Sequence, residues 1–148
     1  MKPYDQVEIL LVDDSPNDAE LAMRALRKGG LANKVLWVKD GEEALDYLFR
    51  EGPYAERGEG SPRLVFLDLK MPRVDGTQVL ERIKQDARTR RIPVVIMTSS
   101  EEESDMIRSY DLGANSYVVK PLDFAAMVDV VHQAGFYWLA VNKHPEGA

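Results

Sequence analysis

Apolar residues fall into five short blocks along the chain: Ile9–Val12, Val35–Val38, Leu64–Leu67, Val94–Met97 and Tyr117–Val119. None alternates with polar residues, and most are rich in β-branched side chains. Such runs read as strands covered on both faces. Between them, apolar positions recur at helical spacing. Ser15-Pro16-Asn17-Asp18 reads as an N-cap, a proline at the first helical position and an acid in the first turn. Ala22, Ala25 and Leu26 then form a stripe that Gly29-Gly30 ends. Asp40-Gly41 opens a second helix with Ala44, Leu45 and Leu48 on one face, and Asp75-Gly76 opens a third with Val79, Leu80 and Ile83 inward. A fourth runs from about Glu102 to Leu112 on Met106, Ile107 and Tyr110, with Gly113 as its stop. The fifth starts near Asp123 and carries Phe124, Met127, Val128 and Val131. This alternation predicts an α/β fold, a doubly wound five-stranded parallel sheet with helices on both faces.

In such sheets the working crevice lies at the carboxyl ends of the strands, where the topology switches. Reactive side chains do follow the apolar blocks. Asp13 and Asp14 follow the first, Asp68 the third, Thr98, Ser99 and Ser100 the fourth, and Lys120 the fifth. Any single acid here could be a helix cap, as Asp13 or Asp14 could be for the helix at Pro16. The set shares one edge, which caps alone do not require. Like charges about 4 Å apart repel by roughly 4 kcal/mol at an effective dielectric of 20. Three close carboxylates therefore call for compensation. Mg²⁺ suits them, since it takes a few carboxylates, waters and a phosphate oxygen. Lys120 and Thr98 suit other phosphate oxygens, so the cluster reads as a phosphoryl holder with a carboxylate acceptor.

Composition narrows the classes further. The 148 residues fit one domain and carry a net charge of -6 with no cysteine. That excludes a disulfide scaffold, a thiolate metal site and a cysteine nucleophile. The acidic balance speaks against nucleic-acid binding. Two histidines, His132 and His144, exclude a three-histidine zinc site and read as surface or packing residues. The longest apolar run, Ala134–Val141, is far shorter than the ~20 residues of a membrane span. No signal segment is evident, so a cytoplasmic protein without a membrane partner is expected.

The motifs resemble those of the receiver domains of two-component response regulators. Val12-Asp13-Asp14-Ser15 matches the acidic pair, and Asp68 to Gly76 matches D-x-x-M-P-x-x-D-G at every fixed position. Thr98-Ser99 and Lys120-Pro121 supply the remaining landmarks, and the likeness runs from about Glu8 to Gly135. The resemblance implies a flavodoxin-like receiver fold and a phosphorylation switch rather than a turnover enzyme. Asp68 is then the phosphoacceptor for a sensor histidine kinase. Asp14, Asp68 and the backbone carbonyl of Lys70 hold Mg²⁺, with Asp13 acting through a metal-bound water. Lys120 pairs with the acyl phosphate, Thr98 bonds the phosphoryl group, and Ser99 leaves access to it. Thr98 moves with Tyr117, the aromatic switch, and Pro121 follows a cis peptide bond. The Lys70 side chain either steers an attacking water or is a solvated rim lysine; Tyr117 is a switch or a packing residue.

Softer features extend the likeness. Arg91 to Val95 and the Phe136-Tyr137-Trp138-Leu139 cluster are similar to stand-alone regulators served by phytochrome-type kinases. The cluster, an aromatic turn before the tail of residues 136–148, either closes the core or pairs two subunits as a homodimer through the C-terminal helix face. Glu51 to Arg63, rich in Gly, Pro and charge, reads as a surface loop. One receiver domain over 1–148 leaves no room for an output domain. The alternative is a Mg²⁺-dependent phosphatase of the haloacid-dehalogenase type. That family expects D-x-D, where this chain has Asp68-Leu69-Lys70.

Overall fold

The computed structural model describes residues 7–28, 30, 34–58, 60–143 and 145; His144 and Gly29 lie outside them. The strands are β1 (Ile9–Val12), β2 (Val35–Val38), β3 (Leu64–Leu67), β4 (Val94–Thr98) and β5 (Ser116–Val119). The helices are α1 (Pro16–Lys28), α2 (Gly41–Phe49), α3 (Gly76–Gln85), α4 (Glu103–Asp111) and α5 (Phe124–Phe136). All strand pairs are parallel, in the order β2-β1-β3-β4-β5. The chain turns one way from β1 to β2 and the other way from β3 onward. The switch therefore lies between β1 and β3, where their carboxyl ends open a crevice.

Continuous apolar runs are what the central strands require. β1, β3 and β4 are buried along their whole length, while the outer β2 and β5 are half-buried because each has one neighbour. Two apolar layers flank the sheet. Leu10, Val65, Leu67 and Ile96 face Ala44, Leu48, Val79, Leu80 and Ile83 on one side. Ile9, Leu11, Phe66, Val95 and Met97 face Ala22, Leu26, Met127 and Val131 of α1 and α5 on the other. Caps fall where the sequence places them. The Ser15 hydroxyl accepts from Asp18 N at 3.3 Å, Asp40 from Glu43 N at 2.8 Å and Asp75 from Gln78 N at 3.0 Å. Gly113 follows α4 with φ of 105°.

Three expectations are corrected and one is sharpened. The outer residues of α4 are not core: Ile107 and Tyr110 are half exposed, because α4 covers an edge of the sheet rather than its middle. Phe124, placed in the α5 stripe, is 71% exposed, while Met127 and Val131 carry the packing. The segment after α2 lies at the surface as expected, with Glu51, Gly52, Pro53, Ala55 and Glu56 exposed, but it is anchored by two inward side chains. Its 3-10 turn, Gly52–Tyr54, buries Tyr54, and Arg57 is buried too. The Arg57 guanidinium lies 4.2 Å from the Tyr47 ring centre and donates to the Tyr47, Leu48, Gly58 and Gly60 carbonyls. The aromatic turn is a continuation of α5 in wider π-helical winding, Tyr137–Val141. It makes one 18-residue apolar helix from Phe124 to Val141. Met127, Val131 and Leu139 commit one face of that helix to the α1 layer, and Arg63 caps it by donating to the Leu139 carbonyl at 2.9 Å.

Lys84 closes the far end of the domain. Its ammonium donates to the Arg90 and Ile92 carbonyls and to Asn115 Oδ1, tying α3 to the β4 and β5 entries. Burial pushes its pKa down to about 8 from 10.5. Between those values the unfolded chain holds a proton that the folded chain has released. The Lys84 contribution to stability therefore improves as pH rises from about 8 toward 10.5. The difference in unfolding free energy between wild type and Lys84→Met, followed by urea denaturation, is expected to grow across that window. A pH-independent difference would contradict it.

Candidate functional site

The crevice gathers its side chains from five elements. Asp13 leaves β1, with its amide donating to Val38 O at 3.2 Å and its carbonyl accepting from Trp37 Nε1 at 2.7 Å. Asp68 leaves β3 with its amide on Val12 O at 3.0 Å. Lys120 leaves β5 with its amide on Thr98 O at 2.7 Å. These bonds extend the sheet one residue past the strands and aim the side chains over one edge. Gly76 makes the third-strand turn possible. Its amide donates to Leu69 O at 2.9 Å, and a Cβ there would collide with the Asp68 carbonyl and Leu69 Cα.

At the centre the Lys120 ammonium, its side chain 8% exposed, meets three carboxylates. It lies 2.8 Å from Asp13 Oδ2, 3.0 Å from Asp18 Oδ2 and 3.1 Å from Asp68 Oδ2. Ser15 N donates to the second oxygen of Asp13 at 2.9 Å, and Lys70 N approaches Asp68 Oδ1 at 3.4 Å. Burial opposes the Lys120 charge, but the hydrogen bond and attraction of Asp13, with Asp68 and Asp18, outweigh it and hold its pKa above the ordinary lysine range. Asp13 goes the other way. Burial raises its pKa to about 6, against the lowering effect of Lys120 and Ser15 N, and the Asp68 charge adds to the rise.

Asp13, Asp14 and Asp68 bring one ligand oxygen each to within 4.8 Å of one another, with Asp14 exposed. The donor set fits a hard divalent cation: all oxygen, all carboxylate, and open at Asp14. Lys120 offsets only one of the charges.

The remaining expected residues divide. Thr98 is fully buried at the edge, its Oγ1 accepting from Ser100 N at 3.3 Å. Ser99 is exposed. Tyr117 is half-buried against the α3 layer and its hydroxyl donates to Ser100 O at 3.1 Å. The Lys70 side chain is engaged elsewhere, 3.3 Å from Asp105 Oδ2 on α4, which also accepts from Ser100 Oγ at 2.6 Å. His132 lines a groove between α1 and α5, away from the acids. The Lys120–Pro121 bond, expected cis, is trans, the lower-energy isomer of an X–Pro bond. Sequence reading missed Asp18 as a member of the cluster, taking it only as a first-turn acid. The signal was available: helical side chains lean toward the N-terminus, and α1 begins two residues after Asp14, so an acid in its first turn overhangs the site.

A family model for the response regulator receiver domain matches residues 9–132. The chain belongs to the response regulator receiver family. This receiver domain is 43% identical to the probable methanogenesis regulatory protein FilR2 of Methanothrix harundinacea, over 98% of this chain and 92% of that one. It is 38% identical to the response regulator Rcp1 of Synechocystis over 93% of this chain and 92% of that one. The phosphorylated cyanobacterial phytochrome response regulator RcpA superposes with a TM-score of 0.88 at 38% identity, covering 93% of this chain and 97% of that one. A manganese-bound structure of Rcp1 superposes with a TM-score of 0.86 at 35% identity, covering 93% and 97%.

Gly76→Ala is expected to push the Asp68 turn outward. The overpacking should lower unfolding free energy by about 1–3 kcal/mol and weaken Mg²⁺ binding in the same protein. Denaturant midpoints and a Mg²⁺ titration check it; unchanged values for both would show that the turn absorbs the methyl group.

Proposed function

We propose that this receiver domain is a phosphorylation switch, with Asp68 as the acceptor of a phosphoryl group from a sensor histidine kinase. The observation that carries the reading is the Lys120 ammonium 3.1 Å from Asp68 Oδ2, beside an acidic trio at the carboxyl edge of the sheet. An Asp68 oxygen attacks the phosphorus of a phosphohistidine. The O–P bond forms, the P–N bond breaks, and the leaving imidazole nitrogen takes up a proton. Asp14 and Asp68, with the Lys70 carbonyl and with Asp13 through a bound water, would hold Mg²⁺, which when bound offsets the phosphoryl charge. Lys120 turns its ammonium to a phosphoryl oxygen as the Asp68 carboxylate becomes an acyl phosphate. The Thr98 hydroxyl donates to another, and exposed Ser99 leaves the approach open. Thr98 and Tyr117 both contact the Ser100 backbone, which supports their moving together.

Likeness to RcpA and Rcp1 supports a phytochrome-type kinase as the partner. Leu122, fully exposed, and Phe124 stand directly after Lys120. Phe124 also lines the α1–α5 groove of about 710 Å³, a surface suited to the kinase. The haloacid-dehalogenase alternative loses ground, because its second acid is replaced by Lys70, whose ammonium sits on Asp105. Acetyl phosphate with Mg²⁺ should phosphorylate the wild type and not Asp68→Asn, read by intact-mass spectrometry. Equal labelling of both proteins, or steady turnover of small phosphoesters, would defeat the proposal. Phosphotransfer profiling against histidine kinases should favour a photoreceptor kinase.

The end of the long helix supports a second copy of this chain as a further partner. Phe136, Tyr137 and Val141 are about half exposed on one helix, and aromatic side chains are enriched where proteins associate. Sedimentation of the wild type should give a dimer and Tyr137→Glu a monomer. A wild type that stays monomeric with and without phosphorylation would remove this part of the proposal.

A further inference from the structure

The Lys120 ammonium has three protons, and three carboxylates take them: Asp13, Asp18 and Asp68. Two of those three, Asp13 and Asp68, also belong to the trio whose oxygens converge for a cation. A divalent cation and the ammonium therefore compete for the same two carboxylates. Asp18 stands outside the trio and answers to Lys120 alone among the described contacts. Its side chain is 35% exposed, against 5% for Asp13 and 9% for Asp68.

We propose that Asp18 is a positioning residue for divalent-cation binding, which draws the Lys120 ammonium toward α1 so that Asp13 and Asp68 are released to the cation. The inference rests on the cation site proposed above and deepens it. A buried ammonium cannot go unpaired without a large desolvation penalty. When a cation takes Asp13 and Asp68, Lys120 loses both partners and is repelled by the doubly charged ion. Asp18 is the carboxylate that remains, so the lysine stays paired within the site and stays close to the Asp68 oxygens. Without Asp18 the ammonium depends wholly on Asp13 and Asp68, and a cation must strip both from a buried lysine.

Loss of any nearby negative charge weakens cation binding, so the distinguishing feature is dependence on Lys120. A double-mutant cycle isolates it. Mg²⁺ and Mn²⁺ titrations are followed by calorimetry and by tryptophan fluorescence, since the Trp37 indole is bonded to the Asp13 carbonyl. Asp18→Asn is expected to raise the Mg²⁺ dissociation constant about tenfold, the scale of one lost charge-assisted contact. In a Lys120→Met background the same substitution should change it about threefold or less, because there is no ammonium to reposition. Equal shifts in both backgrounds, or none in the wild-type background, would overturn the role of Asp18. If circular dichroism shows Lys120→Met unfolded, the structure of Mg²⁺-loaded wild type decides. Lys120 Nζ should remain bonded to Asp18 and have left Asp13; an ammonium that has abandoned Asp18 overturns the inference. A wild type that binds neither ion defeats the cation site and the Asp18 role together, whereas an additive cycle in a protein that binds both ions defeats only the latter.

Discussion

The arrangement depends on one buried ammonium. Lys120 sits among Asp13, Asp18 and Asp68 with nearly all of its side chain out of water. Desolvation disfavours a charge there, and only the surrounding carboxylates make it tolerable. The carboxylates depend on it in turn. With Asp14 they bring four negative charges to one edge of the sheet, and Lys120 answers one of them. The site is therefore held together and left unfinished by the same interaction. It is stable enough to fold, yet still short of positive charge where the acidic trio fits a divalent cation.

The parallel sheet is what makes such a cluster possible. Asp13, Asp68 and Lys120 come from strands far apart in the chain, and each is placed by a backbone bond to its neighbour just beyond the strand end: Asp13 to Val38, Asp68 to Val12 and Lys120 to Thr98. Because strand order reverses between β1 and β3, their connections leave to opposite faces and open a crevice above the strand ends. The turn carrying Asp68 is packed so closely against Gly76 that a Cβ would not fit. The acids are thus fixed on rigid elements. Thr98, Ser100, Tyr117, Lys70 and Asp105 form a separate chain of hydrogen bonds and an ion pair from the crevice to α4 and β5.

Away from the crevice, charge and aromatic side chains do unexpected structural work. Arg57 lies over Tyr47 and gathers four carbonyls from α2 and the segment after it. Glycine, proline and charge in a segment usually signal solvent, but a guanidinium has enough donors to replace water for a whole turn. At the other end, the apolar helix of 18 residues commits Met127, Val131 and Leu139 to the core and leaves Phe136, Tyr137 and Val141 outside. One helix thereby faces both the interior and solvent.

The five strands, the helix starts and the edge bearing Asp13, Asp68, Thr98 and Lys120 were legible in the sequence, because they rest on local physics. Strand burial writes itself as unbroken apolar runs, and caps write themselves as Ser15, Asp40 and Asp75. What the chain alone did not reveal depends on distance in space. The burial of Arg57 depends on four carbonyls, those of Tyr47, Leu48, Gly58 and Gly60, converging on its guanidinium. The exposure of Ile107, Tyr110 and Phe124 follows from where their helices lie on the sheet, since helical spacing identifies a stripe but not what covers it. The engagement of Lys70 with Asp105 was likewise a tertiary decision. Asp18 shows the boundary most clearly. The sequence marks it as an ordinary first-turn acid, and only the packing of α1 over the strand ends turns it into a partner of Lys120, because a long-range ion pair leaves no periodic trace along the chain.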